Sequence, residues 1–424
     1  MNKLLIIPLA ALLFLLVDWY VFQALKTATQ HASLSVQRAL AYAHWSITAV
    51  SLLAFFLYHF APPDLLGPRA RLVIMVGLFI NYLSKVLVVV FLLIDDLIRL
   101  GRWGLQKFNG PNPQASVAPS AISNPQSDPI LRSEFLAKAA MVAGAIPVVS
   151  LTWGIISGAH DYRIRRVKLV LKNLPRSFDG LKIAQLSDIH SGSFFNKTAV
   201  KGGVEMLLAE KPDVVFFTGD LVNNQASEVR DYISIFDKVK APLGVFSTLG
   251  NHDYGDYVAW ESEAAKRQNL KDLMEAHRLM GWNLMTDTHT TLKQGGDEIA
   301  ILGIQNWGSG RWPKYGNLAK AYAGTENFPV KLLLSHDPSH WDAQVRPQFP
   351  DIDVQFAGHT HGFQFGIEVP GFRWSPAQYA YRQWAGLYSE GAQQLYVNRG
   401  YGYLGYPGRV GILPEITIYE LKMA

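Results

Sequence analysis

The chain has 424 residues, of which 49% are hydrophobic and 17% are charged, and its formal net charge is +5. This length predicts two or three structural units and excludes one ordinary domain. The positive charge is modest and the basic residues are scattered, so no nucleic-acid partner is expected. The absence of cysteine excludes disulfides and thiolate metal ligands.

Four apolar runs near the start of the chain predict membrane-spanning helices. Each is close to the roughly 20 apolar residues that a helix needs to cross the hydrocarbon core. The runs are 4–25, 44–60, 72–94 and 135–156. No small-residue cleavage site follows the first run, which indicates a retained helix and not a removed signal peptide. The alternative, buried helices of a soluble domain, is disfavoured because four such runs follow in series.

Two charged residues lie inside these runs. Asp18 lies in the first run and Lys85 in the third. Helices one and three of a serial bundle cross in the same direction, which puts the two residues at similar depth, and an isolated intramembrane charge usually finds a partner. We therefore hypothesise that they pair; the alternative is that Asp18 lies at the interface and Lys85 extends to the headgroups.

The predicted domains are a transmembrane region over 1–160 and a second domain over 161–424. A Pro- and Ser-rich segment near 110–130 has almost no charge and predicts a flexible loop outside the membrane. The chain is expected to be an integral membrane protein of the bacterial inner membrane. Basic residues divide about equally between the two faces of the bundle, but the cluster at 163–168 favours a cytoplasmic second domain.

Five short apolar runs in the second domain are each followed at once by Asp, Asn or His. The runs lie at 181–186, 213–217, 243–249, 331–334 and 354–357. The polar residues that follow them are Asp188, His190, Asp220, Asn251, His336, His359 and His361. An α/β sheet presents a site in this way, with side chains converging in loops beyond the carboxyl ends of its strands.

These residue types predict a metal centre. Imidazole, carboxylate and carboxamide groups suit Mn, Fe or Zn ions, and seven such groups are too many for one tetrahedral ion. They suit two ions that lie about 3.5–4 Å apart and share a bridging carboxylate. Asp188 and His190, two residues apart in an extended segment, are able to bind the same ion. His359 and His361 are spaced likewise, which predicts that they bind one ion, or separate ions if their loop turns between them.

The five blocks, in this order and spacing, resemble the calcineurin-like metallophosphoesterase superfamily, in particular its membrane-associated branch, transmembrane proteins with a metallophosphoesterase domain. The blocks read Ser187-Asp188-Ile189-His190, Thr218-Gly219-Asp220, Gly250-Asn251-His252-Asp253, Ser335-His336-Asp337 and Gly358-His359-Thr360-His361. The resemblance covers about 167–421. It implies an α/β fold with four αββα layers, a sandwich of two mixed sheets that follows the bundle of about four transmembrane helices.

The resemblance also implies a role for each residue of the site. One ion would be bound by Asp188, His190, Asp220 and His361, and the other by Asp220, Asn251, His336 and His359. His252 would protonate the leaving oxygen, and Asp253 would orient His252 by accepting a hydrogen bond. One departure is visible, because Phe363 stands where the family pattern has a glycine, which puts the wall of the pocket in doubt.

The predicted function is that of a membrane-anchored, dinuclear metal-dependent phosphoesterase that hydrolyses phosphate mono- or diester bonds by metal-activated hydroxide. Four membrane helices exceed what a soluble substrate requires, so a lipid or cell-envelope precursor is the favoured substrate. The aromatic segment 372–388 is hypothesised to meet the bilayer or a lipid tail. The alternative function is a membrane sensor or scaffold with a catalytically weak phosphoesterase domain, which the complete set of ligands disfavours.

Overall fold

The computed structural model describes residues 3–62, 65–109, 132–310 and 313–424. The chain divides into two compact units, Met1–Thr152 and Trp153–Ala424. The predicted loop near 110–130 lies outside the described residues, and the predicted domain boundary after residue 160 stays a prediction.

The first unit consists of long apolar helices. They are α1 (Lys3–Ala28), α2 (Leu34–Phe60), α3 (Pro68–Asn109) and α4 (Arg132–Ile156), the last of which ends in the second unit. All four are long and apolar enough to cross a membrane. The helix α3 continues well past the predicted end of its apolar run at residue 94. Polar residues do not end a helix by themselves, and Asp95 and Arg99 form an ion pair one turn apart, at 2.6 Å.

A buried polar cluster lies inside this helical unit. The Lys85 ammonium forms a short ion pair with the Asp18 carboxylate, as hypothesised, and both side chains are buried. The Tyr82 hydroxyl donates a hydrogen bond of 3.1 Å to the second Asp18 oxygen. His44 Nε2 donates to the Asp18 backbone carbonyl at 3.1 Å. The charge of Asp18 is therefore neutralised within the bundle.

The second unit contains fourteen strands and five α-helices among its described residues. The strands are β1 (Arg163–Leu171), β2 (Lys182–Leu186), β3 (Val214–Thr218), β4 (Val245–Thr248), β5 (Asn283–Leu284), β6 (Thr288–Gln294), β7 (Asp297–Gly303), β8 (Lys331–Leu334), β9 (Val354–Ala357), β10 (Ile367–Val369), β11 (Phe372–Trp374), β12 (Gly386–Glu390), β13 (Gln393–Val397) and β14 (Glu415–Met423). The helices are α5 (Lys197–Ala209), α6 (Ile233–Phe236), α7 (Glu263–Leu279), α8 (Leu318–Tyr322) and α9 (Arg346–Gln348).

These strands form two six-stranded mixed sheets and one hairpin. The first sheet has the order β1-β14-β2-β3-β4-β5, the second has the order β12-β13-β9-β8-β7-β6, and β10 pairs with β11. In the first sheet only β14 and β2 are antiparallel neighbours. In the second sheet the outer pairs are antiparallel and the three inner pairings are parallel.

The alternation of side chains along each strand builds the layers. In β3, Val214 and Phe216 face a core shared with the second sheet, whereas Val215 and Phe217 face a core shared with α5 and α7. The other face of the second sheet packs against α8 and the segment 341–345. The layers are thus helix, sheet, sheet and helix, as predicted. The carboxyl ends of β2, β3, β4, β8 and β9 lead directly into the five predicted polar loops.

Candidate metal centre

The five loops bring their polar side chains together from both sheets. Two groups of three residues each place one ligand atom per residue within 4.8 Å of the others. The first group is Asp188, His190 and His361, and the second is Asp220, His336 and His359. Asn251 lies beside the second group, because its Oδ1 accepts from His359 Nδ1 at 2.8 Å. The structure therefore gathers all seven predicted metal ligands in one place.

The three residues of the first group are all buried. His190 Nε2 lies 3.0 Å from His361 Nε2, and His361 Nε2 lies 3.3 Å from a carboxylate oxygen of Asp188. His190 Nδ1 lies 3.1 Å from the side-chain oxygen of Asn223, which can only accept, so this nitrogen carries the proton. His190 Nε2 consequently presents its lone pair towards His361 and Asp188.

Asp220 stands between the two groups. Its Oδ2 atom lies 3.5 Å from His190 Nε2 in the first group and 3.2 Å from His336 Nε2 in the second. His336 Nδ1 donates to the Thr218 backbone carbonyl at 2.7 Å, which turns Nε2 towards the carboxylate. This position is the one that a bridging carboxylate requires.

His252 is placed beside the two groups and is partly exposed, unlike most of the predicted ligands. Its backbone N–H donates to Asp220 Oδ1 at 2.9 Å, and its Nδ1 donates to the Asn223 backbone carbonyl at 2.8 Å. Nε2 is left as the atom that can hold a proton towards a substrate. Its ring lies 5.0 Å from that of His190, between centroids.

The role predicted for Asp253 is not the one that the structure shows. It was expected to orient the His252 ring, but the acceptor of His252 Nδ1 is the Asn223 carbonyl. The Asp253 carboxylate instead accepts four backbone N–H groups, those of Asp220, Leu221, Val222 and Gly250, at 2.8–3.3 Å. A buried carboxylate needs this many donors, and the neighbouring loops supply them. Asp253 therefore holds the Asp220 and Gly250 loops together.

The backbone at the site is unusual. Asp188, His190, Asp220, His359 and His361 all have φ between 49° and 73°, the left-handed region that non-glycine residues rarely adopt. Such conformations cost about 1–3 kcal/mol each and concentrate at functional sites. They turn consecutive polar side chains out of the strand direction and into one cluster.

Burial shapes the charge state of these groups. It lowers the pKa of His190 to about 3, and it holds the pKa of His359 and His361 below the usual histidine range. For Asp220, burial alone would raise the pKa, but His336 and His252 hold it well below its ordinary value. The centre thus offers neutral imidazoles at His190, His359 and His361 and an ionised carboxylate at Asp220, the forms that bind cations. His336 differs: burial alone would lower its pKa, but Asp220 and Asp188 raise it to about 10, so a cation has to displace the His336 proton.

These residues fit two divalent cations. Imidazole nitrogens and carboxylate oxygens converge in a largely buried site, and one ionised carboxylate borders both groups. Neutral imidazole and carboxylate oxygen are the donors of dinuclear sites that contain Mn, Fe or Zn. The donor set therefore matches the predicted cofactor class.

Several residues at the site carried no clear sequence signal. The Arg409 guanidinium is buried behind His361, with Nη2 3.1 Å from His361 Nδ1, and it donates to the carbonyls of Arg399 and Gly402. The Tyr381 hydroxyl donates to His359 Nε2 at 3.0 Å. Arg409 lies in a glycine-rich loop far along the chain, where no local pattern indicates a contact with His361 in the fifth strand-end loop.

This combination defines a class: an α/β sandwich of the metallophosphoesterase type that follows four membrane-spanning helices. A family model described as calcineurin-like phosphoesterase matches residues 181–363. A second, described as probable calcineurin-like phosphoesterase, transmembrane domain, matches residues 2–159. The chain belongs to the calcineurin-like phosphoesterases and carries their four-helix transmembrane domain, as the five sequence blocks predicted.

Known relatives agree with this assignment. The chain is 30% identical over 292 residues to a transmembrane protein with metallophosphoesterase domain of Danio rerio, covering 67% of this chain and 63% of the relative. It is 29% identical over 288 residues to the uncharacterized metallophosphoesterase YkuE of Bacillus subtilis, covering 66% and 94%. It is 26% identical over 309 residues to the UDP-2,3-diacylglucosamine pyrophosphatase LpxG of Chlamydia trachomatis, covering 61% and 89%. The chain thus spans less than two thirds of the Danio rerio relative.

Proposed function

We propose that this chain is a membrane-anchored, dinuclear metal-dependent phosphoesterase that hydrolyses phosphate mono- or diester bonds. The observation that carries the proposal is the position of Asp220 Oδ2, 3.5 Å from His190 Nε2 and 3.2 Å from His336 Nε2. A single carboxylate that borders two groups of ligands is the arrangement that two metal ions need.

Each group of ligands would bind one divalent cation. When bound, such ions lower the pKa of a water molecule and neutralise charge on the phosphoryl oxygens. The protein's part is to fix the ligands before the substrate arrives. The left-handed backbone at the ligands and the four N–H bonds to Asp253 serve this purpose, because they leave the ligand loops little freedom.

His252 is proposed as the general acid. Its Nδ1 proton is directed to the Asn223 carbonyl, so Nε2 is the position from which a proton passes to the departing alcohol oxygen. Its partial exposure lets a substrate reach it, while most of the ligands behind it stay buried. A positioned acid of this kind contributes about 10²–10⁴-fold to the rate.

The proposed substrate is a phosphoester linked to a lipid or to a cell-envelope precursor, and the proposed site is the cytoplasmic face of a bacterial inner membrane. Four membrane-spanning helices anchor the domain. The Chlamydia trachomatis relative is named for an acylated sugar nucleotide, which supports a lipid-like substrate by analogy. The basic residues Arg163, Arg165, Arg166 and Lys168 after α4 support the cytoplasmic orientation.

The test uses the full chain purified in detergent, stripped of metal and then given Mn²⁺, Zn²⁺ or Fe²⁺. Turnover is measured with a soluble phosphomonoester and a soluble phosphodiester reporter. We expect Asp220→Asn to lose both ions and all turnover, and His252→Ala to keep both ions and lose about 10²–10⁴-fold in rate. His289→Ala, which removes a histidine from β6 that bonds only to the Ala321 carbonyl among its described hydrogen bonds, is the matched control.

Full activity of Asp220→Asn would contradict the proposed centre. Two bound ions without turnover on any reporter or on lipid extracts would favour the sensor or scaffold function instead. A preference for one reporter would decide between monoester and diester substrates.

A further inference from the structure

The hairpin of β10 and β11 carries an apolar face that is largely exposed in the part of the second unit that the structure describes. Strand pairing places Ile367 opposite Trp374 and Val369 opposite Phe372, so the four side chains lie on one face. Ile367, Val369 and Phe372 are 51%, 53% and 55% exposed. Contiguous apolar surface of this kind on a folded domain marks an interaction site. We call these four residues the hairpin face.

The opposite side of the hairpin is fixed to the domain by charged groups. Glu368 forms ion pairs with Arg165 of β1 and, at 2.7 Å, with the buried Arg399. The Arg373 guanidinium lies over the Trp384 ring, 4.8 Å from its centroid. The hairpin face is therefore held outward on a rigid support, and its exposure does not result from a loose loop.

The base of the hairpin lies beside the residues that end the last membrane helix. Gly366 N–H donates to the Val410 carbonyl at 2.9 Å, and the neighbouring Arg409 N–H donates to the Gly154 carbonyl at 3.1 Å. Gly154 belongs to the last turn of α4, within the second unit. The strand β1, whose Arg165 pairs with the hairpin, begins seven residues after Ile156, a reach of at most roughly 25 Å.

The hairpin is also joined to the metal centre. Five residues separate the ligand His361 from Ile367, and within them Phe363 is 46% exposed. The Phe363 ring lies 6.4 Å from that of Tyr381, whose hydroxyl contacts His359. Exposed aromatic surface thus borders the ligands on the side from which the hairpin extends.

We propose that the hairpin face docks into the lipid bilayer that holds the chain's own helices, and that it sets the metal centre at headgroup level. This inference rests on the proposed function for its catalytic consequence, which is that the phosphoester reaches the centre from the membrane as a lipid headgroup. The bilayer is the occupant because it is the apolar phase at the end of α4. Aromatic residues such as Phe372 suit its interface. Arg163 and Arg166 are 57% and 67% exposed, and although they pair with Asp161 and Glu210 they leave donors for anionic headgroups.

The docking is tested without any turnover. The chain has no cysteine, so Val369→Cys in the full chain accepts a single environment-sensitive fluorophore. In vesicles of phosphatidylethanolamine and phosphatidylglycerol we expect nitroxide-labelled lipids to quench this label at least threefold more than a control label. The control is Leu279→Cys, at an apolar residue of α7 with matching exposure, 54%. Equal quenching of the two labels, or equal access of aqueous iodide to both, would overturn the proposal.

The catalytic consequence is tested by comparing the turnover of a soluble substrate with that of a lipid substrate. We expect the double variant Val369→Asp and Phe372→Asp to keep turnover of the preferred soluble reporter within twofold of wild type. Turnover of that variant on phosphatidic acid or phosphatidylglycerol in the same vesicles should fall at least tenfold. An equal loss of turnover on soluble and lipid substrates would overturn the proposal that the hairpin face brings the metal centre to lipid headgroups. Failure of the wild type on every substrate while the label is quenched by lipid would count against the proposed function alone.

Discussion

Gly358, which precedes the proposed metal ligand His359, has no room for a side chain. A Cβ atom on this residue would lie 2.1 Å from Asp188 Oδ2 and 2.0 Å from Ser187 Oγ. Its backbone is not among the positive-φ residues, so the obstacle to Gly358→Ala is the lack of space and not the conformation. The substitution therefore acts on a proposed metal ligand, Asp188, through one methyl group.

The size of the effect follows from these distances. Ordinary contact with a Cβ begins at about 3.4 Å, so the Asp188 carboxylate must move by about 1.3 Å or its loop must part from the Gly358 loop. The carboxylate accepts the His359 N–H at 2.9 Å, and that bond breaks in either case. A misplacement of about 1 Å in a catalytic site costs about 10²-fold in rate, and overpacking costs about 1–3 kcal/mol in stability.

The assay measures metal content, turnover with the preferred reporter and thermal stability of the full chain in detergent. Gly202→Ala is the matched control, because it adds the same methyl group within α5 where nothing lies within 4 Å. We expect the control to match wild type and Gly358→Ala to lose about 10²-fold in turnover together with at least one ion. A Gly358→Ala protein with two ions and turnover within threefold of wild type would refute the argument that Gly358 keeps space for Asp188.

Three further predictions concern buried ionisable side chains. Arg409→Gln removes the guanidinium contact with His361, so we expect about 10–100-fold weaker metal binding in a metal titration, and unchanged affinity would contradict a positioning role. In the helical unit, Asp18→Asn or Lys85→Met leaves a buried charge unpaired and costs about 3–5 kcal/mol in stability. Exchanging both residues should recover part of that loss in thermal unfolding, and a swap no better than the single variants would argue against pairing. Burial lowers the pKa of His277 to about 3, so the unfolded chain takes up its proton first as the pH falls below about 6.5. Stability should then drop by about 2 kcal/mol more from pH 7 to pH 5 in wild type than in His277→Gln, and equal pH dependence would exclude this contribution.

The sequence predicted the parts of the site that depend on local pattern. A buried strand followed at once by Asp or His is visible in the chain, and the carboxyl ends of strands lie at one edge of a sheet. Asp188, Asp220 and His336 were found in this way, and the structure brings them together. The two mixed sheets followed from the family resemblance and not from the strand pattern itself.

What could not be predicted depends on tertiary contacts. Asp253 was assigned to His252 because the two are adjacent, yet four N–H groups from two separate loops determine where its carboxylate points. Arg409 reaches His361 from a loop 48 residues away. Single-sequence patterns report periodicity and turns, and they contain no information on which distant loops come into contact.

Each candidate cluster takes ligands from both sheets, and this has a consequence for stability. Asp188 and His190 follow β2 of the first sheet, whereas their partner His361 follows β9 of the second. In the other cluster Asp220 follows β3, and His336 follows β8. Cations bound at both clusters would therefore hold the sheets together at the edge of their shared core. By linkage, an ion at 100 times its dissociation constant adds about 2.7 kcal/mol to the stability of the folded state. A mutation that loosens the core between the sheets should therefore weaken metal binding, and a mutation of a ligand should lower the stability measured in the presence of metal.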